Sequence, residues 1–223
     1  CLHRQLELDQ RLWWQVRLLG RCLQRFDPQQ SLTHWQMRLE AILAYLPTTE
    51  ERVTVATQLE LPNDSIKRLK QLETAKETII AHLSQDLPPQ EVLHLYRTLC
   101  QQRADLLQQP PNEIEIPVKQ TLLTEGYRPR DLVKTLQSYQ LPMLVLTAVQ
   151  TPRKARRRIW QYLTYWSQIN APLNGNDLKA LGYKPGPQYR EILESLLDAT
   201  LDGVIQTKAE AKVFLAQHYP KEA

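Results

Sequence analysis

Residues 174–203 read NGNDLKALGYKPGPQYREILESLLDATLDG. A short helix over Asn176 to Leu181 runs into Gly182, a residue suited to the left-handed turn that closes a helix. Tyr183-Lys184-Pro185-Gly186-Pro187 then makes a stiff turn. A second helix starts there with proline in its first turn, where the missing N–H costs nothing. Its apolar stripe is Ile192, Leu193, Leu196, Leu197 and Leu201, and Gly203 stops it. The layout is like a helix–hairpin–helix. It turns backbone N–H groups and a helix N-terminus outward, an arrangement that favours an anion. Lys184 and Arg190 place full charges beside the turn, Lys179 adds another from the short helix, and Gly186 would let a phosphate approach the backbone. A tight turn with no ligand is the plainer alternative.

Working outward, apolar residues recur at helical spacing almost everywhere. Leu8, Leu12, Val16, Leu19 and Leu23 form one stripe; Trp35, Leu39, Ile42 and Leu46 form the next. Ile66, Leu69, Leu72, Ile79 and Leu83 follow, then Val92, Leu95, Leu99 and Leu106. Prolines at 28, 47, 62, 88–89 and 110–111 punctuate them, because proline lacks an N–H and clashes with the preceding turn. Ser31 and Asp64 are plausible caps for the helices after them. The alternating Glu113-Ile114-Glu115-Ile116 is too short for a sheet. The expectation is an all-α protein. A body of antiparallel helices occupies 1–110, and a tail of smaller helices with the hairpin-like turn occupies 111–223. The tail helices are expected at 118–125, 130–138, 141–149, 153–168, 175–181, 186–201 and 207–217. Gly126-Tyr127-Arg128-Pro129 echoes Gly182-Tyr183-Lys184-Pro185.

The 223 residues are enough for one large domain or two small ones. Hydrophobic residues make up 42% and charged residues 23%, ordinary for a soluble globular chain. The three cysteines read as reduced thiols, which suits the cytoplasm. No apolar run approaches the ~20 residues of a membrane span. The opening Cys1-Leu2-His3-Arg4 lacks an initiator Met and begins within a helical pattern, as in a piece of a longer protein.

The net charge of +4 is unevenly spread. Residues 1–150 hold 17 basic and 17 acidic side chains, whereas residues 151–223 hold 11 and 7. A positive field there suits an anionic partner such as nucleic acid. Arg153, Lys154, Arg156, Arg157 and Arg158 open a helix whose stripe is Ile159, Leu163, Trp166 and Ile169. At 100° per residue Arg153, Lys154, Arg157 and Arg158 fall on the far face, with Arg156 at the border. Cations crowd the wrong end of a helix here, and a phosphate would relieve them. A solvated charge run is the alternative. Trp160, Tyr162 and Tyr165 are expected to pack rather than stack on bases.

No catalytic or metal-binding residue stands out. The five histidines are scattered, and none stands beside an Asp. There is no GxGxxG, P-loop, Gly-Gly turn or Asp-x-Asp.

The pattern Gly175, Asp177, Leu178, Leu181, Gly182, Pro185, Gly186, Pro187, Ile192, Leu193, Leu201, Asp202 and Gly203 resembles the C-terminal tail of bacterial tRNA nucleotidyltransferases and their poly(A)-polymerase-like relatives. Trp35-x-x-Arg38-Leu39-Glu40, with Ile42, Leu43 and Leu46, resembles the body of that family more weakly. The resemblance implies a tRNA-binding body and tail that hold the elbow (TΨC) and acceptor side of tRNA. It implies a catalytic head and neck, in cis or in trans, that use Mg²⁺ with ATP or CTP to add A or CCA. Head signatures are missing, so no catalytic residue or cofactor transfers to this chain, and alone it would be inactive. Two alternatives stay open: a helical protein-interaction scaffold, and a non-specific binder of double-stranded nucleic acid.

Overall fold

The structure, a computed structural model, describes residues 10–184 and 186–220. Among them there is no strand, and no helix is long and apolar enough to cross a membrane. The helices are α1 (Gln10–Phe26), α2 (His34–Leu43), α3 (Thr49–Gln58), α4 (Asn63–Leu83), α5 (Pro89–Leu107), α6 (Pro129–Leu136), α7 (Leu141–Gln150), α8 (Arg153–Thr164), α9 (Gly175–Ala180), α10 (Pro187–Leu201) and α11 (Lys208–His218). Short 3₁₀ turns lie at Pro111–Glu113 and Trp166–Gln168, and a wider π turn at Thr121–Glu125.

The chain divides into two compact units, neither continuous in sequence. The first takes the chain to Gln85 and then Thr135–Leu163; the second takes Asp86–Lys134 and the chain from Thr164 onward. This departs from a division at 110/111. The proline-bounded stretch around 108–117 lies wholly inside the second unit. The first unit is interleaved because of α7. That helix is apolar on all sides and buried from Pro142 to Val149, so it must lie inside other helices. It packs against α1, α2 and α4, covering Leu19, Leu23, Leu43, Leu69 and Leu72.

Three of the expected stripes hold: Leu12, Leu19 and Leu23 are buried on α1, Leu69, Leu72, Ile79 and Leu83 on α4, and Val92, Leu99 and Leu106 on α5. Leu8 lies outside the described residues. The stripe running from α2 to Leu46 holds only in part: Leu46 is buried and Leu39 packs against the core. The inner face of α2 is Met37, Glu40, Ala41 and Leu43, while Trp35 is 60% exposed. Glu40 can turn inward because Arg68 meets it with two bonds, Nε to Oε2 at 3.0 Å and Nη2 to Oε1 at 2.6 Å. A paired carboxylate is tolerated in a core where a lone one is not.

Both expected caps are corrected. Pro62 precedes α4, with Asp64 in its first turn, and Thr33 precedes α2. Ser31 instead turns back on Asp27. Its N–H and hydroxyl donate to Asp27 Oδ1, and the Leu32 N–H donates to Oδ2. The isoleucines of 113–116 are buried, and Glu115 pairs with Lys119 in an exposed loop.

In the second unit α5 packs on α11 and on the irregular segments after it. Arg103 of α5 is buried and donates to the carbonyls of Gly203 (3.3 Å) and Val204 (2.9 Å) and to Glu210 (3.2 Å). One side chain thus ties α5 to the link between α10 and α11.

Candidate nucleic-acid interface

The 174–203 segment folds as its local chemistry dictates. Asn174 Oδ1 accepts from the N–H groups of Asn176 and Asp177, and Asp177 Oδ2 accepts from the Asn174 N–H. This reciprocal capping box starts α9. The helix closes in a Schellman turn, with Gly182 N–H on Lys179 O, Tyr183 N–H on Leu178 O and Gly182 at φ 89°. The end of α10 repeats it, with Gly203 N–H on Thr200 O, Val204 N–H on Ala199 O and φ 76°.

Two tyrosines pin the connection between α9 and α10. Tyr189 OH donates to Tyr183 O at 2.9 Å, and Tyr183 OH donates to Tyr219 O at 2.9 Å. Both hydroxyls were legible only as aromatic residues in the sequence. Pro185 lies outside the described residues. Gly186 is extended at φ 175°, and a Cβ on it would meet nothing within 4 Å. The backbone therefore does not require glycine there. Pro187 opens α10, and the Tyr189 N–H is already used by Gly186 O.

Much of this segment serves the fold. Asp177 caps, Leu178, Ile192, Leu196 and Leu201 are buried, and Asp202 is an ion-pair partner. Lys179 and Lys184 are exposed, with no ion-pair partner among the described residues. Arg190 is 87% exposed and donates to Glu194 Oε1 at 2.8 Å, so its charge is met within its own helix. That pairing is weak in water and can yield to a phosphate.

The Gly126–Pro129 echo has a different outcome. Gly126 is also left-handed, at φ 65°. Tyr127 OH accepts from Trp166 Nε1 at 3.2 Å. Arg128, however, is held by Asp202. The basic residue of one copy is committed inside the unit, and that of the other, Lys184, faces solvent.

The α8 run differs from expectation in a physically clear way. Its inner face is Ala155, Arg158, Ile159 and Tyr162. Arg158 is therefore buried, not on the far face; its Nη1 donates to Leu83 O (2.7 Å) and Gln85 O (2.8 Å). Lys154 Nζ donates to Ser84 O at 3.0 Å. These are the open carbonyls at the C-terminus of α4, the end of a helix that attracts cations. Arg156 lies over the Trp14 ring at 4.8 Å. The charge conflict at the start of α8 is thus relieved in part by protein groups. The side chains of Arg153 and Arg157 are exposed. The helix ends at Thr164 rather than 168; Trp160 packs edge-on against Phe26, Tyr162 is buried and Tyr165 is 59% exposed.

The candidate cations fall in different units. Lys179, Lys184 and Arg190, with Gly186, belong to the second; Arg153, Lys154, Arg157 and Arg158 belong to the first. In the second unit a cleft of about 490 Å³ is lined by Arg128, Arg130 and Lys134 facing Glu194, Asp198 and Asp202. Its cations and acids pair across α6 and α10: Lys134 with Asp198 at 2.6 Å, and Arg130 with Asp198 and Asp202 at 3.7 Å.

Among the described residues no group of three or more His, Cys, Asp or Glu is placed to hold a metal ion. One histidine does meet an aspartate in space, contrary to the linear reading: His34 Nε2 lies 3.2 Å from Asp27 Oδ2. Ser31 and His34 bind opposite oxygens of Asp27, so the histidine is not placed to take the serine's proton. Cys22 and Cys100 are free and buried. Burial pushes the Cys22 thiol up to about 11, against the pull of Arg21 and Arg156.

No protein-family profile matches the chain, and no solved structure matches it. The chain is similar to the A-adding tRNA nucleotidyltransferase of Geobacter sulfurreducens, with 31% identity over 96 residues. The matched stretch is 43% of this chain and spans about a tenth (11%) of the length of that relative.

Proposed function

We propose that this chain is the tRNA-binding body and tail part of a tRNA nucleotidyltransferase. The observation that carries the reading is the similarity to a protein named for adding A to tRNA. The turn between α9 and α10 supports it. There Lys179, Lys184 and a glycine that the backbone does not need face solvent beside the start of a helix. The helix-hairpin-helix-like turn grips phosphate, and Arg153 and Arg157 of α8 supply a second contact. Addition of A or CCA to the 3′ end, with its Mg²⁺ and nucleotide, belongs to a head and neck outside these 223 residues. The substrate is held by its acceptor and TΨC side.

Filter binding of folded tRNA tests this. With roughly four phosphate contacts the log–log salt slope is near −3, and affinity falls about 60-fold between 50 and 200 mM salt. Lys184→Glu combined with Arg153→Glu weakens binding and flattens the slope. Affinity indifferent to salt and to both substitutions overturns the reading. Equal affinity for duplex DNA and tRNA would favour a non-specific duplex clamp instead.

A further inference from the structure

The first 150 residues are neutral only on average. Residues 10–38 hold five arginines against one aspartate, and that aspartate, Asp27, is bound by Ser31, Leu32 and His34. Helix α1 contains no acidic residue. Arg17, Arg21 and Arg25 follow one another at four-residue intervals along it, and all three are exposed. Like charges one turn apart repel, and none of them has an ion-pair partner among the described residues. Two large aromatic rings are exposed on this pair of helices, Trp13 on α1 (57% exposed) and Trp35 on α2 (60% exposed).

The surroundings extend this surface. Arg38 of α2 reaches over α1, its Nη2 3.6 Å from where a Cβ on Gly20 would lie. On α8, Arg156 covers Trp14, and Trp160 packs on Phe26 at the end of α1, 5.9 Å from the Arg25 guanidinium. A line of guanidinium groups with no ion-pair partner among the described residues calls for a polyanion. Exposed indole faces beside it call for flat, unpaired bases. A rigid duplex satisfies the first demand and buries the bases that would satisfy the second.

We infer that the α1–α2 face binds a single-stranded stretch of RNA, its phosphates on Arg17, Arg21 and Arg38 and its bases on Trp13 and Trp35. The inference rests on the RNA-binding function proposed for the chain and adds a second surface that takes an unpaired segment.

The probe is a fluorescent ten-nucleotide single-stranded RNA, with a blunt RNA duplex and folded tRNA as comparisons, all with the full chain. The single strand binds more tightly than the duplex and quenches tryptophan emission. Trp13→Ala and Trp35→Ala each weaken it about fivefold or more. Arg17→Gln with Arg21→Gln reduces the salt slope by about 1.4, or ~0.7 for each phosphate no longer neutralised. Unchanged thermal unfolding of these surface variants shows that the fold is intact, and Lys184→Glu leaves single-strand binding in place. Duplex bound as well as single strand, or binding unmoved by the arginine and tryptophan changes, overturns the inference. If tRNA still binds in a Lys184-dependent way, that failure leaves the proposed function standing. If the oligonucleotide binds through α1 while tRNA binding is indifferent to salt, the proposed function fails instead.

Discussion

Arg128 grips Asp202 side-on, its Nε and Nη2 each on one carboxylate oxygen, the first at 2.7 Å. The two residues are 74 positions apart. They join the Gly126–Pro129 turn to the Leu201-Asp202-Gly203 end of α10. Asp202 is only 2% exposed; burial raises its pKa, while the bonds from Arg128 oppose the rise. Removing Asp202 strands the Arg128 guanidinium, and removing Arg128 leaves the buried Asp202 only the longer 3.7 Å contact with Arg130. Asp202→Ala and Arg128→Met should each cost about 3 kcal/mol. The double variant should lose clearly less than the sum, as coupled sites do. Urea unfolding of the four proteins measures the coupling.

The two glycines at the ends of α10 should behave oppositely. A Cβ at Gly203 would stand 2.8 Å from Pro117 Cδ, and the residue is left-handed. Gly203→Ala should lose about 2 kcal/mol or more, through strain and clash together. Gly186 is extended and open, so Gly186→Ala should stay within about 0.5 kcal/mol of the parent. If the α9–α10 turn receives a phosphate, the same substitution should still weaken tRNA binding. Paired unfolding and filter-binding measurements separate the two effects.

Within α8 the basic residues should split by role. Arg158→Gln withdraws a buried guanidinium from two carbonyls of the α4 terminus, and should cost about 2 kcal/mol. Arg153→Gln changes an exposed side chain, so stability should hold within about 0.5 kcal/mol while the salt slope of tRNA binding falls by about 0.7. Thermal melts and salt titrations of both variants test the split. A destabilised Arg153 variant would remove that residue from the proposed interface.

Asp27 sets an acid-side dependence. Its carboxylate is held at about 2, against an ordinary 3.8, chiefly by the Ser31 hydroxyl. Burial opposes the shift, and the N–H groups of Leu32 and Ser31 and the His34 ring support it. Between these values the unfolded chain binds more protons than the folded one. The contribution is therefore full above about pH 4 and is lost as pH falls toward about 2. Asp27→Asn should be less stable than the parent at neutral pH, and the gap should close between about pH 4 and about pH 2. Urea midpoints across that range measure it. A gap that stays constant across the whole acid range would contradict the hydrogen-bonding account.

The sequence by itself determined that the described chain is helical, and where several helices begin and end. Apolar spacing, the prolines before α4 and α5 and the glycines at 182 and 203 are all read within a few neighbouring residues. Local backbone chemistry acts over that same range. Tertiary structure alone decided which faces turn inward and which charges find partners. Trp35 faces out and Glu40 in because Arg68, 28 residues away, receives the carboxylate. Arg158 turns inward because the carbonyls of Leu83 and Gln85, 75 and 73 residues away, accept from it. The first unit takes residues from both sides of 110/111 because α7 is apolar all round and returns to pack against α1, α2 and α4. The same rule holds in the turn between α9 and α10. Gly182 closes α9 by local chemistry, but Tyr183 is fixed by the distant carbonyl of Tyr219, and Lys184 is left facing solvent. A charge on a helix has no assigned side until other parts of the chain supply, or withhold, the groups that answer it.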